Sequence, residues 1–222
     1  MDYSVFNIIG PRMVGPSSSH TAGAARLGKV ARRISGNDVT RVTFILYGSF
    51  AKTYKGHGTD RALLAGILDM EPNDPNLGRS LECAGAAGVD YEFVVDDTEP
   101  IHPNTVKMLI TGSSGKRTEV VGCSIGGGNI RVIQINGLSV EFTGEYPTLI
   151  IRHIDRPGVI AEVTGLMVQF DINIAFMRVF RQSRGQDAFM IIETDNTIPR
   201  KVIAQVRALG DEIHDVYLIE AL

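Results

Sequence analysis

A run of hydroxyl side chains with one histidine precedes the first predicted helix. Residues 15–21 read GPSSSHT, so Ser17, Ser18, Ser19, His20 and Thr21 follow one another directly. Backbone N–H groups at the start of a helix lack partners and attract anions, and hydroxyls add further donors. One serine would be enough to cap the helix. The longer run predicts a binding site, for which an amino-acid carboxylate is a suitable guest.

Two further histidines lie in short segments rich in turn-forming residues. Residues 54–60 read YKGHGTD, and the glycines on both sides of His57 would let the backbone approach a ligand closely. The alternative is a flexible loop in which Thr59 or Asp60 caps the next helix, but a histidine is a poor choice for such a turn, which favours a function for His57. Residues 102–105 read HPNT, where Pro103 stiffens a turn and Asn104 tolerates unusual backbone angles. His102 and Asn104 could hydrogen-bond a substrate, although a simple β-turn also accounts for the four residues.

A glycine triplet stands between two predicted strands, in the segment SIGGG at residues 124–128. It lacks the GxGxxG spacing and the following helix of a dinucleotide-binding loop, and it lacks the GK[ST] ending of a phosphate-binding P-loop. We expect close packing of this segment against a ligand or another chain, or otherwise a β-bulge.

Composition excludes several classes of protein. The net charge is -3 and the basic residues are scattered, so nucleic acid is not an expected partner. The chain has no apolar run of the roughly 18 residues that a membrane span needs, and its first ten residues lack the basic region of a signal peptide. The two cysteines, Cys83 and Cys123, lie far apart, which indicates a reduced, cytoplasmic protein. Two cysteines cannot hold a four-cysteine cluster, and no metal site is expected in this chain.

The hydrophobic pattern predicts an α+β protein with two domains. The GPSSSHT segment precedes a helix with an apolar face, and strands are predicted at residues 41–47, 106–111, 118–125 and 129–135. The C-terminal third alternates as βαββαβ, a ferredoxin-like order. A proline-containing linker near residues 144–148 separates a first domain, residues 1–145, from a second, residues 148–222.

The second domain resembles an ACT domain. The resemblance rests on the RPG turn at residues 156–158, the helix that follows it, and the DINI step at residues 171–174. ACT domains are small-ligand modules, and the resemblance implies possible ligand contacts at His153, Asp155, Gly158 and Asn173. Asp155 stands where some serine-sensing ACT domains have asparagine. Because helices would cover only one face of the sheet, we expect homodimerisation through the other face or an edge.

The whole chain resembles the beta chain of bacterial iron–sulfur L-serine dehydratases. The segments that carry this resemblance are MVGPSSSHTAGAARLG, YGSFAKTYKGHGTD, HPNT and SIGGG. The first domain is also similar to the allosteric-substrate-binding domain of phosphoglycerate dehydrogenases. The resemblance implies conversion of L-serine to pyruvate and ammonia through aminoacrylate. It also implies a 4Fe–4S cluster that acts on the substrate hydroxyl and is ligated by a separate alpha subunit.

The resemblance implies site residues at the contact between the two subunits. The proposed catalytic residues are His20 and His102, and the proposed substrate-binding residues are Ser17, Ser18, Ser19, Thr21, His57, Asn104 and Thr105. A general base must take the α-proton, and whether it belongs to this chain or to the alpha subunit stays open. A regulatory subunit that only senses an amino acid is the alternative. We further expect His20 to lie outside the buried face of its helix, with the helix N-terminus lowering its pKa.

Overall fold

The computed structural model describes residues 11–222, so the first ten residues, which are predicted not to be a signal peptide, lie outside the described residues. The chain divides into two compact units, of which the first ends at Asn136 and the second covers Gly137–Leu222. The boundaries at residues 145 and 148 stay predictions. Within residues 11–222, the helices are all too short or too polar to cross a membrane.

The first unit is a mixed sheet with helices packed on it. Its strands are β1 (Val39–Leu46), β2 (Asp90–Val95), β3 (Thr105–Gly112), β4 (Arg117–Gly126) and β5 (Asn129–Ile135), in the order β2-β1-β3-β4-β5. The pairing of β1 with β2 is parallel, and the other pairings are antiparallel. A π-helical turn (Ser18–Gly23) leads directly into α1 (Ala24–Ser35). The remaining helical segments are α2 (Gly48–His57), α3 (Thr59–Ile67), a 3-10 turn (Leu77–Arg79) and α4 (Ser80–Ala86).

Tight packing of α1 fixes the position of the residues that precede it. The predicted apolar face is confirmed, because Leu27, Val30, Ala31 and Ile34 are completely buried. Gly28 allows α1 to touch α3, since a Cβ there would lie 2.2 Å from the carbonyl oxygen of Leu63. On the sheet side, Leu27 occupies the space that a Cβ on Gly122 would need. The start of α1 is therefore held rigidly against both the neighbouring helix and β4.

The interpretation of residues 54–60 as a glycine-rich loop is wrong. Residues Gly48–His57 form one helix, and His57 lies on its last turn. Gly58 adopts a left-handed conformation with φ of +70° and donates its N–H to the carbonyl oxygen of Tyr54, an ordinary glycine helix cap. Gly56 is tolerated inside the helix, where the buried side chain of Phe50 supplies the packing that propensity alone does not.

The second unit confirms the βαββαβ order. It contains β6 (Leu138–Phe142), β7 (Thr148–Ile154), α5 (Val159–Gln169), β8 (Ile174–Arg181), β9 (Asp187–Thr194), α6 (Arg200–Arg207) and β10 (Ile213–Ile219). Strands β10, β7, β9 and β8 form an antiparallel sheet in that order. Both helices pack on one face, and Leu149, Val163, Met190 and Val202 are among the buried residues of that core.

The opposite face of this sheet is not bare, so the expectation of an uncovered face in a single chain is wrong. Ile150, Phe189 and Ile191 alternate with the helix-facing residues and are nevertheless buried. Strand β6 of the same unit contacts β8 and β9 and accounts for part of this cover. The apolar residue left half exposed on the outer strand β8 is Phe176. Homodimerisation stays a prediction, and the outer strand β8 is the part of the sheet where we now expect a second copy to bind.

Candidate functional site

The imidazole of His20 lies at the centre of a cluster in the first unit. Its side chain is buried, which corrects the expectation that it lies outside the packed part of the helix. Its Nδ1 atom is 3.3 Å from the hydroxyl oxygen of Ser17, and its Nε2 atom is 3.4 Å from that of Ser49. The ring also meets Phe50 and His57 edge to face, with centroid distances of 5.2 and 4.7 Å. Packing of α2 over the π turn is the reason for the burial.

Burial lowers the pKa of His20, and the nearby His57 lowers the pKa further because two positive charges would repel each other. The direction agrees with the prediction, but burial and His57 replace the helix N-terminus as the physical cause. At neutral pH the imidazole is therefore uncharged. An uncharged imidazole has one nitrogen able to accept a proton, which is the state that a general base requires.

Ser49 reaches His20 because α2 begins against the HPNT turn. Gly48 has φ of +55°, and a Cβ at this position would lie 2.6 Å from the carbonyl oxygen of Pro103. The N–H of Ser49 donates to that same oxygen over 2.7 Å. Ser49 is not among the site residues predicted from the sequence, although it lies within the YGSFAKTYKGHGTD segment. The Gly-Ser pair after a buried strand was the available signal for a tight helix start.

The HPNT segment is a hydrogen-bonded turn that connects to β4. The backbone N–H of Asn104 donates to Nδ1 of His102 over 3.2 Å, and the hydroxyl of Thr105 donates to the carbonyl oxygen of His102 over 2.6 Å. The side-chain amide of Asn104 donates to the carbonyl oxygen of Ser124 over 3.4 Å. His102, Asn104 and Thr105 therefore shape the turn itself, whatever contacts they make to a substrate.

The SIGGG segment packs against the π turn. A Cβ on Gly23 would lie 2.1 Å from the hydroxyl oxygen of Ser124, and one on Gly128 would lie 3.3 Å from the side chain of Ala22. Arg26 donates to the carbonyl oxygen of Gly128 over 2.8 Å. The register between β4 and β5 also shifts at this segment, so both close packing and a strand irregularity are present.

Three oxygen atoms in these packed segments are buried without a hydrogen-bond partner. They are the hydroxyl oxygens of Thr21 and Ser124 and the amide oxygen of Asn104. Ser18 and Ser19 lie half-buried on the π turn beside His20. The structure thus brings Ser17, His20 and His57 into one cluster and packs SIGGG against the same π turn, with HPNT bonded to Ser49 and Ser124.

The proposed ligand residues of the second unit have a different environment. His153 is buried, and its Nδ1 lies 2.8 Å from the carbonyl oxygen of Ile154. Arg181 donates to Asp155 over 2.6 Å, and this hydrogen bond lowers the pKa of that carboxyl group.

The two other predicted positions lie at the start of α5 and beside β8. The side-chain amide of Asn173 donates to Asp195 over 2.5 Å, so its polar group, like that of Asp155, is engaged within the unit. Gly158 has φ of +100° and immediately precedes α5, which explains the glycine at this position without a ligand.

The described residues do not fit an iron–sulfur cluster. Within residues 11–222, no three His, Cys, Asp or Glu side chains are arranged to hold a metal ion. Cys83 on α4 and Cys123 on β4 are both free thiols, and burial raises the pKa of Cys123. A raised pKa disfavours the thiolate that iron requires.

Comparison with known proteins gives two family matches. Residues 4–87 match the serine dehydratase beta chain family, and residues 148–211 match the ACT domain family. The probable L-serine dehydratase beta chain of Bacillus subtilis is 45% identical over 95% of this chain and 95% of its own length. The L-serine dehydratase beta chain of Peptoniphilus asaccharolyticus is 42% identical over 89% of each chain. The D-3-phosphoglycerate dehydrogenase of Methanocaldococcus jannaschii is 30% identical over 88% of this chain but 37% of its own length.

The two compact units and the ACT family match define an α+β protein with a C-terminal ACT domain. The similarity over nearly the full length of two beta chains goes further. The chain belongs to the serine dehydratase beta chain family, as a beta chain of L-serine dehydratase, and this confirms the resemblance seen in its sequence.

Proposed function

We propose that this chain combines with an alpha subunit to convert L-serine to pyruvate and ammonia, and that the cluster around His20 forms its share of the substrate site. The observation that carries the proposal is the placement of the buried His20 between Ser17 and Ser49, on a turn against which SIGGG packs and beside a helix start that HPNT fixes. Structural packing alone does not require a histidine between two serine hydroxyls.

The reaction removes the α-proton and the β-hydroxyl of serine, which leaves as water, to give aminoacrylate. Aminoacrylate then tautomerises to the imine, whose hydrolysis yields pyruvate and ammonia. In our proposal His20 accepts the α-proton, Ser18, Ser19 and the N–H groups of the π turn bind the substrate carboxylate, and Ser17 borders the substrate with its hydroxyl on His20.

The remaining proposed site residues border this position. The unpartnered oxygens of Thr21 and Asn104 would gain partners from the substrate ammonium group or from ordered water. His57 is exposed and lies beside His20. His102 and Thr105 stay proposed site residues because they shape the HPNT turn.

The cofactor and the partner follow from the family resemblance. The 4Fe–4S cluster would supply Lewis-acid chemistry at the substrate hydroxyl, and we propose that the alpha subunit holds it, because the described residues of this chain do not fit it. The proposed setting is the cytoplasm, with L-serine as the small-molecule partner and neither nucleic acid nor membrane involved.

The ACT domain favours a second candidate, a regulatory subunit that senses an amino acid and takes no part in catalysis. Its buried His153 has an Nε2 atom without a hydrogen-bond partner, which a small ligand would satisfy. Asp155 is already paired with Arg181, and Asn173 lies at the opposite end of the sheet from His153, which weighs against a preformed ligand site there. The two candidates differ in whether turnover needs the first unit.

The deciding experiment is anaerobic coexpression with candidate alpha chains, followed by a pyruvate assay on the purified complex. The alpha chain expressed alone is the control. We expect pyruvate formation with both chains and none with either chain alone. An alpha chain that turns over L-serine equally well alone, with this chain altering only its response to amino acids, would establish the regulatory function instead.

A further inference from the structure

Each ring nitrogen of His20 faces a serine hydroxyl from a different part of the chain. Ser17 belongs to the same turn and lies 3.3 Å from Nδ1, whereas Ser49 belongs to α2 and lies 3.4 Å from Nε2. Hydrogen bonds at catalytic sites are often this long before the substrate is bound. The two contacts together determine where the single proton of the neutral ring resides.

Ser17 already has one fixed hydrogen bond. Its hydroxyl oxygen accepts the backbone N–H of His20 over 3.3 Å, as the cap of the π turn. Its own O–H can therefore donate to Nδ1 of His20, which lies 3.3 Å away. A nitrogen that accepts a hydrogen bond carries no proton, so this arrangement leaves the ring proton on Nε2.

We infer that Ser49 is a positioning residue whose hydroxyl oxygen accepts the Nε2–H of His20 and thereby keeps Nδ1 as the basic nitrogen. The inference rests on the proposed function for the role of His20 as the base. It adds which nitrogen takes the proton and which residue decides it. Nδ1 is also the nitrogen on the side of Ser17, where the proposed carboxylate-binding residues lie.

The position of Ser49 is enforced by its neighbours. The left-handed Gly48 and the hydrogen bond from the N–H of Ser49 to Pro103 fix the backbone, and the hydroxyl of Thr53 donates to the carbonyl oxygen of Ser49 over 2.8 Å. Among residues 11–222, the titratable side chain that faces the ring is His57. The HPNT turn therefore fixes the position of Ser49, and through Ser49 it orients the ring of His20.

The first test reads the tautomer directly by long-range ¹H–¹⁵N spectra of the full chain labelled at histidine, at a pH above the His20 transition. The parent and Ser49→Thr should show the Nε2–H tautomer. Ser49→Ala should show a mixture with a measurable Nδ1–H share. Tyr54→Phe, which removes a hydroxyl from the same helix and keeps the ring that packs on Phe93, should match the parent. A parent in the Nδ1–H form, or Ser49→Ala with an unchanged tautomer, would overturn the inference.

The second test uses the assembled enzyme. Ser49→Ala should lower kcat about 10-fold, the size of one lost hydrogen bond, with KM for L-serine little changed, and Ser49→Thr should restore most of the rate. Ser49→Ala with parental kcat, while His20→Ala is inactive, would overturn the role of Ser49 and leave the proposed function standing. A fully active His20→Ala would instead overturn the proposed function, and the tautomer result would still report on Ser49 independently.

Discussion

The two units of this chain each bury one histidine, and the two histidines differ in their partners. His20 lies between side-chain hydroxyls on both ring nitrogens and beside a second imidazole. His153 contacts the carbonyl oxygen of its own neighbour Ile154, close to a carboxylate that Arg181 already holds. Both side chains are almost inaccessible to solvent, so burial alone does not separate them.

The difference shows that the partners of a buried histidine say more about its role than its burial. Around His20, elements distant in the sequence place polar groups next to one ring. Burying polar groups lowers the stability of a protein unless they are hydrogen-bonded, so such a cluster indicates a functional site. Around His153, the nearby carboxylate of Asp155 is already paired with Arg181 inside a small βαββαβ unit. We therefore expect catalysis to depend on the first cluster and stability or ligand sensing on the second.

The largest expected effect separates the two histidines. His20→Ala should reduce kcat of the assembled enzyme by about 10²–10⁴, the usual contribution of a general base. His153→Ala should lower the unfolding midpoint, because it leaves a cavity, yet keep kcat per folded molecule near the parent value. Pyruvate assays and thermal melts of both variants measure this. Equal losses of kcat in the two variants would remove the distinction.

A somewhat smaller effect is expected at Gly48, which sets the start of α2. Gly48→Ala forces a side chain into a left-handed conformation and against the carbonyl oxygen of Pro103, so it should displace Ser49 and cost about 1–3 kcal/mol of stability. Gly56→Ala is the matched control in the same helix, since its Cβ meets open space. It should stabilise the chain by about 0.5–1 kcal/mol. Denaturant unfolding measures both free energies of unfolding. A Gly48→Ala variant more stable than Gly56→Ala would contradict this account.

The effect of pH follows from the lowered pKa of His20. Because the folded-state pKa lies below the ordinary value of 6.5, the unfolded chain binds the proton more readily. Above pH 6.5 the ring is uncharged in both the folded and the unfolded chain, so it does not change the free energy of unfolding. As the pH falls from 6.5 through the folded-state pKa of His20, the unfolded chain is protonated first and the free energy of unfolding decreases. The kcat/KM profile should show its acid limb below pH 6.5. His20→Gln should lose less stability on acidification than the parent, and an acid limb well above 6.5 would contradict the assignment.

The smallest effect is expected in the second unit, at the ion pair between Arg181 and Asp155. Arg181→Ala removes the hydrogen bond that lowers the pKa of Asp155, so this pKa should rise toward its usual value. The unfolding midpoint should change little, because exposed ion pairs are weak. An NMR titration of the Asp155 carboxyl group checks the shift. A large loss of kcat in the Arg181→Ala enzyme would show that the second unit contributes to catalysis, contrary to this account.

The features that the sequence predicted correctly are those with local causes. Helical spacing in α1 and the βαββαβ order of the second unit come from short-range periodicity, and the resemblance was carried by contiguous motifs. Ser17 and His20 were found together because one turn contains both.

The features that the sequence did not reveal depend on distant contacts. Ser49 lies 29 positions from His20, and its approach requires the packing of α2 on the HPNT turn. The glycines at 56 and 58 favoured a loop, whereas the burial of Phe50 outweighs their low helix propensity. In the same way, β6 covers part of a sheet face that the βαββαβ pattern alone leaves bare.

Chemical rescue of His20→Ala by imidazole in the assembled enzyme tests the central claim most directly, because it separates a missing base from a distorted site. We predict that added imidazole restores pyruvate formation in proportion to its uncharged fraction, and that His153→Ala gains nothing from it. Failure of rescue in a His20→Ala enzyme that still binds both the alpha subunit and L-serine would contradict the account, and the base would then belong to the alpha subunit.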